Sequence, residues 1–295
     1  MITWDSCQRI TEDTNFHVNA LMNVNDKIIA AGNYGYFSVK TEDWSDVLFH
    51  GREYITWKDL AVNDKGIVTA VGLPGVIATT NQPDQGWSFI ELSGELFPNL
   101  MAVEYLSNNT FLCIGEDAKY FILDSDGHNQ LDELKEIPEI ENVYAAKRLS
   151  DHRVIISGEG NLLGITKDGY HWDTLSIPAN PFKSCILAIE ELPGDKVIVA
   201  GEHGFYSIVD SITKEVLITG HIPDWEGQVS ALKFIDRYVI AVGSYGQYNV
   251  NLHGLAWCKT EQIPGWVGSI QSIEIQDDEI IVAGDLGQYT TGHLQ

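Results

Sequence analysis

Short apolar runs ending in glycine punctuate the chain: IIAAG, IVTAVG, FLCIG, VIISG, VIVAG, VIAVG and IIVAG. The closing glycines are Gly32, Gly72, Gly115, Gly158, Gly201, Gly243 and Gly284, spaced 40, 43, 43, 43, 42 and 41 residues apart. The step from Gly284 through the C-terminus and back to Gly32 is again 43. A self-similar period of about 40 residues is the mark of a repeat architecture, and it governs every other reading of the chain.

Before each glycine run lies a second apolar segment: ALMNV, DLAVN, LMAVEYL, VYAAKRL, CILAIEEL, SALKFI and QSIEI. Turn residues such as Asn25-Asp26, Asn63-Asp64 and Asp277-Asp278 separate the two, as expected of strands joined by a hairpin. After the glycine, a G-x-x-G turn leads to Phe37, Ile77, Tyr120, Leu163, Tyr206, Tyr248 or Tyr289, always five residues on, which reads as the inward face of a third strand. A fourth segment follows, often opened by tryptophan: Trp44, Trp87, Trp172 and Trp257. Four strands in about 42 residues make one propeller blade, so the pattern predicts an all-β, seven-bladed β-propeller of four-stranded antiparallel blades. Residues 1–295 read as a single domain.

The seventh unit stops after its third strand. Trp4 falls where a circular continuation would place the outer-strand tryptophan, so residues 1–8 are expected to supply the outer strand of the last blade and close the ring. The second-to-third-strand turns and the interblade loops then share one face. Aromatic and apolar residues gather there over units 6, 7, 1 and 2: Trp225, Tyr245, Trp266, Leu286, Tyr34 and Trp57. Acids gather over units 3 to 5, at Glu116, Asp117, Glu159 and Glu202. The aromatic sector is the candidate partner-binding face. The matched settings of Trp225 and Trp266, IPDWEGQVSAL and IPGWVGSIQSI, leave open that both are wedges between blades.

Composition sharpens the choice of partner. With 42 Asp and Glu against 18 Lys and Arg, the formal net charge is −24, which argues against nucleic acid and anionic membranes. The N-terminus reads as lacking a secretory signal, and no apolar run is long enough for a membrane span, so a cytoplasmic or virion-associated protein is expected. The four cysteines have no C-x-x-C spacing and read as buried thiols of a reducing compartment. Nine histidines form no H-x-H or H-E-x-x-H pattern, so neither a metal nor a cofactor is expected.

Thr166-Lys167-Asp168-Gly169-Tyr170-His171-Trp172 looks like a degenerate Asp-box (BNR) turn, with weaker echoes at Ser125-Asp126-Gly127 and Asn251…Gly254…Trp257. With the seven units, this resembles the photosystem II assembly-factor type of propeller and, more distantly, the sortilin and sialidase propellers. The resemblance implies structural roles for Asp168, Gly169 and Trp172, and an assembly scaffold. The thylakoid leader and basic patches of the assembly factors are not matched here. Only five arginines are present, none in the Arg-Ile-Pro setting of the sialidase triad, so no catalytic residue is assigned. The sequence therefore points to a noncatalytic scaffold with protein partners, such as a component of a phage virion or tail. The alternative is a glycan-binding propeller, with glycoside hydrolysis a more distant one.

Overall fold

In a computed structural model of the chain, the described residues are 2–295 apart from 14, 46–47, 50–52, 91–97, 108, 125–133, 178–184 and 253–255. Ser125-Asp126-Gly127 and Gly254 lie outside them. Seven antiparallel sheets form a ring of blades, each built outward in chain order from the central channel. Blade 5 shows the plan, with strands Ile186–Leu192, Lys196–Gly201, Phe205–Asp210 and Val216–His221. Among the described residues, helical geometry is confined to three-residue 3-10 turns. Blade 7 takes its outer strand from the N-terminus: Ile2–Trp4 pairs antiparallel with the last strand, Trp4 opposite Gly292, and Gln8–Arg9 continues opposite Tyr289 and Gln288. The ring is closed by this borrowed strand.

The two glycines of each G-x-x-G turn answer to different constraints. The first has extended backbone (φ −156° at Gly115, 175° at Gly243), so it is not there to reach a left-handed conformation. Its reason is a close approach. A Cβ on Gly201 would stand 1.9 Å from the Cys185 carbonyl oxygen, and one on Gly158 1.7 Å from that of Asn142. The same carbonyl accepts the N–H of the residue after the glycine, as in Glu202 to Cys185 (3.2 Å) and Ser244 to Gln228 (3.0 Å). The second glycine does occupy positive φ, 71° at Gly35 and 67° at Gly204, as does the residue before it, which makes a tight I′-like turn. Ala118 and Asn161 adopt the same left-handed conformation where the second glycine is missing.

The close approach goes with a β-bulge in every innermost strand. Pairing with the second strand slips just after the residue opposite the first glycine in all seven blades, as at Trp57/Asp59 and Ile270/Ser272. A bulge re-aims the extra side chain. Here the extra residues are Asn19, Lys58, Met101, Tyr144, Leu187, Ser230 and Gln271, and all seven line the channel.

The core is divided among the seams between blades. Second strands such as Val197–Gly201 are buried throughout because a neighbouring blade covers each face. Five seams carry an aromatic pair in which an outer-strand tryptophan meets the third strand of the preceding blade: Trp44 with Tyr289, Trp87 with Phe37, Trp172 with Tyr120, Trp257 with Tyr206 and Trp4 with Tyr248. Four are edge-on at 5.3–5.6 Å between ring centroids, and Trp87 stacks on Phe37 at 3.9 Å. Such pairs add about 0.5–1.5 kcal/mol beyond the area they bury. The other two seams have Ile77 and Leu163 at the third-strand position and no tryptophan in the following blade.

Two measurements test this account. Gly201→Ala should cost more than about 4 kcal/mol or prevent folding, because backbone oxygen cannot yield, whereas Gly194→Ala, at φ 76° with open space around it, should cost about 1 kcal/mol in chemical denaturation. Deleting residues 1–8 removes both the outer strand and Trp4 from the seam with Tyr248, so the melting temperature should fall by many degrees; an unchanged melting curve would refute closure by the N-terminus.

Candidate functional site

Two places on the ring concentrate chemistry: the face of the G-x-x-G turns, and the channel. On that face the residue before the second glycine is held left-handed in adjacent blades, at Tyr245 (φ 59°), Leu286 (φ 61°) and Tyr34 (φ 56°). Tyr245 is 60% exposed and Tyr34 42%, while Leu286 is half-buried. Exposed Val267 and Tyr54 sit on the neighbouring interblade loops. The Gly35 N–H donates to the Ile55 carbonyl at 2.9 Å, which ties the loop carrying Tyr54 to the turn carrying Tyr34.

The three tryptophans expected on this face are inside the protein. Trp57 is fully buried as the second residue of its innermost strand, Thr56–Val62, its ring 4.9 Å from that of Phe37. Trp225 and Trp266 are buried wedges: a Cβ on Gly204 would meet Trp225 at 2.7 Å, and one on Gly246 would meet Trp266 at 2.8 Å. Each is anchored by a preceding isoleucine, Ile222 donating to the Gly204 carbonyl and Ile263 to that of Gly246. Phe16 takes the same place against Gly287. The second glycine thus makes room for the wedge of the following interblade loop, and the repeat-equivalent setting of Trp225 and Trp266 reflects packing.

The acidic sector is also partly occupied with holding the fold. The side chain after each first glycine commonly satisfies the segment leading into the innermost strand: Glu202 accepts the Cys185 N–H (3.1 Å), Asp285 that of Ser269 (2.8 Å) and Asn33 that of His17 (2.7 Å). Glu116 accepts from Asn99, and Glu159 from the Tyr144 hydroxyl (2.7 Å). Asp117 is exposed and pairs with Lys119 at 2.9 Å.

The turn at residues 166–172 is tied internally. Asp168 Oδ1 accepts the N–H groups of Tyr170 (2.8 Å) and His171 (2.9 Å), and Thr166 Oγ1 accepts that of Gly169. Burial would push the Asp168 carboxyl up, but the hydrogen bonds from the His171 ring and from these N–H groups outweigh it and hold the group at about 2. Gly169 lies against Leu106 and Ile122 of blade 3, and Trp172 meets Tyr120.

The channel, a cavity of about 370 Å³, holds a belt of charge that the sequence reading passed over. Counted from the residue opposite the first glycine (Val18, Trp57 and their equivalents), the fifth residues of the innermost strands are, in blade order, Met22, Ala61, Glu104, Lys147, Glu190, Lys233 and Glu274. Signs alternate across blades 3 to 7. Lys147 bonds Glu190 at 2.8 Å and Lys233 bonds Glu274 at 2.5 Å. Burial alone would lower the Lys147 ammonium, yet Glu190, Glu104 and Glu274 raise it. The available signal was an acid or base recurring at one strand position in five consecutive repeats. The third position is Ala or Ser in six blades and Asp59 in blade 2. Asp59 Oδ2 accepts the Val103 N–H at 3.0 Å, as Ser272 Oγ accepts that of Leu21 in the next seam but one. Burial foremost, and the neighbouring Glu104 carboxylate, push Asp59 up to about 7 against the Val103 and Leu60 N–H bonds that lower it.

Among the described residues no group of three His, Cys, Asp or Glu side chains is placed to hold a metal, and no helix is long and apolar enough to cross a membrane. The four cysteines are free thiols, but only Cys113 is buried; Cys7 and Cys185 are half-buried and Cys258 is exposed.

No family model matches the chain, and no curated protein matches it by sequence. Solved structures share its fold. The WD40 propeller domain of Doa1 superposes with a TM-score of 0.75 at 14% identity, over 98% of this chain and 97% of that one. YCF48 bound to D1 peptide gives 0.77 at 15% identity, over 99% and 97%. Virginiamycin B lyase from Staphylococcus aureus gives 0.86 at 10% identity over the whole of both chains. The class defined is the seven-bladed β-propeller, and these neighbours include both an enzyme and non-enzymes.

Because Asp59 binds its proton more tightly when folded, its ionisation opposes folding, and its contribution to stability falls as pH rises from about 4 to about 7. Asp59→Ser keeps a hydroxyl acceptor like that of Ser272 and removes the charge. The variant should be more stable than wild type by about 2 kcal/mol at pH 8 and close to it at pH 5, measured by urea denaturation at both.

Proposed function

We propose that this propeller is a noncatalytic protein-interaction scaffold that docks its partner on the face of the G-x-x-G turns. The observation that carries this reading is the strained trio of exposed Tyr245 and Tyr34 with half-buried Leu286 between them. A left-handed conformation costs a residue with a Cβ roughly 1–2 kcal/mol, and glycine or asparagine would relieve it. Bulky side chains at these strained positions on three adjacent blades, with both tyrosines exposed, favour a role in contact. YCF48, a neighbour of the same fold, was solved bound to a peptide, which supports a polypeptide partner. We read the tied turn at Asp168, Gly169 and Trp172 as Asp-box-like and structural, and we assign no catalytic residue. A component of a larger particle, including a phage virion or tail, is one setting for such a scaffold. The glycan-binding alternative lost its three face tryptophans to the interior, so protein contact is the favoured use of the remaining aromatics.

A photo-crosslinking residue placed at Tyr245 should capture a polypeptide in the native extract. The same residue at Asp277, on a hairpin at the opposite end of the blade, should not. Capture from Asp277 alone, or turnover of a glycoside by the purified chain, would overturn the reading.

A further inference from the structure

The face that carries the strained trio is predominantly acidic, with exposed Arg9 at its edge beside Gln288 and Lys119 paired to Asp117 across the ring, and that decides what it can receive. Around the trio run the loops 10–17, 53–56, 222–228 and 263–269 and the three turns after Gly243, Gly284 and Gly32. Their described residues include Glu12, Asp13, Glu53, Asp224, Glu226 and Asp285, and no lysine or arginine. Glu12, Glu53, Asp224 and Glu226 are exposed. The opposite arc of the same face adds Glu116, Asp117, Glu139, Glu141, Glu159 and Glu202. A partner approaching this surface meets the field of a chain carrying a net −24, to which Glu12, Glu53, Asp224 and Glu226 contribute at close range.

We propose that the arc formed by Tyr245, Val267, Leu286, Tyr34 and Tyr54 receives a protein segment that carries apolar side chains flanked by lysine or arginine. The proposal rests on the docking reading above and adds the chemistry of the partner. Tyrosine supplies a large contact area with little rotamer entropy to lose, and its ring also attracts cations. The ring of Tyr245 lies over Gly227, 3.5 Å from where a Cβ would stand, so it is backed by the loop that carries Asp224 and Glu226. An apolar anchor seated beside that ring would place a neighbouring lysine or arginine within reach of both acids. An acidic segment of the same shape would meet like charge from Glu12, Glu53, Asp224 and Glu226, which gives the site its discrimination.

The test is a selection of random displayed peptides of about 12 residues on the full-length chain, followed by fluorescence anisotropy with the recovered peptides. Recovered sequences should be rich in lysine or arginine beside apolar residues. Their binding should weaken about tenfold in Tyr34→Gly/Tyr245→Gly/Leu286→Gly and several-fold in Asp224→Asn/Glu226→Gln, and it should weaken from about 50 to about 300 mM salt. The glycine variant relieves left-handed strain at all three positions, so its melting temperature should not fall, and loss of binding cannot be ascribed to unfolding. Peptides that lose binding in the glycine variant yet show no enrichment in basic residues would overturn the proposal and leave the docking reading standing. Peptides indifferent to the glycine variant, or no recovered peptide at all, would overturn the arc as a docking site.

Discussion

Seven backbone carbonyl oxygens, each pressed against a glycine at the end of a second strand, fix the geometry on which the rest of this propeller depends. The approach is so close that any Cβ would overlap the oxygen. It holds the entry of each innermost strand against its neighbour, and the strand takes up the extra residue as a bulge. The bulge turns one side chain per blade into the channel, and the turn that follows projects one side chain per blade onto the outer face. Rim and face are therefore set by the same contact, and their residues are free to vary because the backbone does not depend on them.

Much of the fold was legible in the sequence because the repeat wrote the same physical constraint seven times. The glycine runs located the second strands, and Trp4 located the closing strand. The tryptophans and the third-strand aromatics were both visible, but not that they meet across seams. The link was available within the chain, since a tryptophan follows an aromatic third strand and is absent after Ile77 and Leu163. The reason for the first glycine was not legible as such: its extended backbone shows that crowding, and not φ, excludes other residues.

Of the residues expected on the candidate face, Tyr34 and Tyr245 are exposed while Trp57, Trp225 and Trp266 are buried, for a reason that lies in packing. Loop position placed Trp225 and Trp266 at the right end of the blades, yet nothing local says whether a loop side chain points outward or is folded under. Their wedge role depends on the second glycine of the preceding blade, a contact about twenty residues away. Tyr34 and Tyr245, at the tips of tight turns, stay outside, and Leu286 at the equivalent tip is half-buried. The channel charges were overlooked because glutamate and lysine on a strand suggest a solvated face, whereas here they line a confined ring.

That ring also meets a restriction of counting. Seven places around a circle cannot be given two alternating signs without setting two like charges side by side, as six or eight could. The chain resolves the mismatch by leaving two consecutive places uncoloured, at Met22 and Ala61, so that the terminal acids Glu274 and Glu104 never become neighbours. The ring is thereby given an origin. A nearly sevenfold object acquires one distinguishable sector of its channel wall, and the buried acid Asp59 lies in that sector, where no basic residue of the belt stands directly beside it.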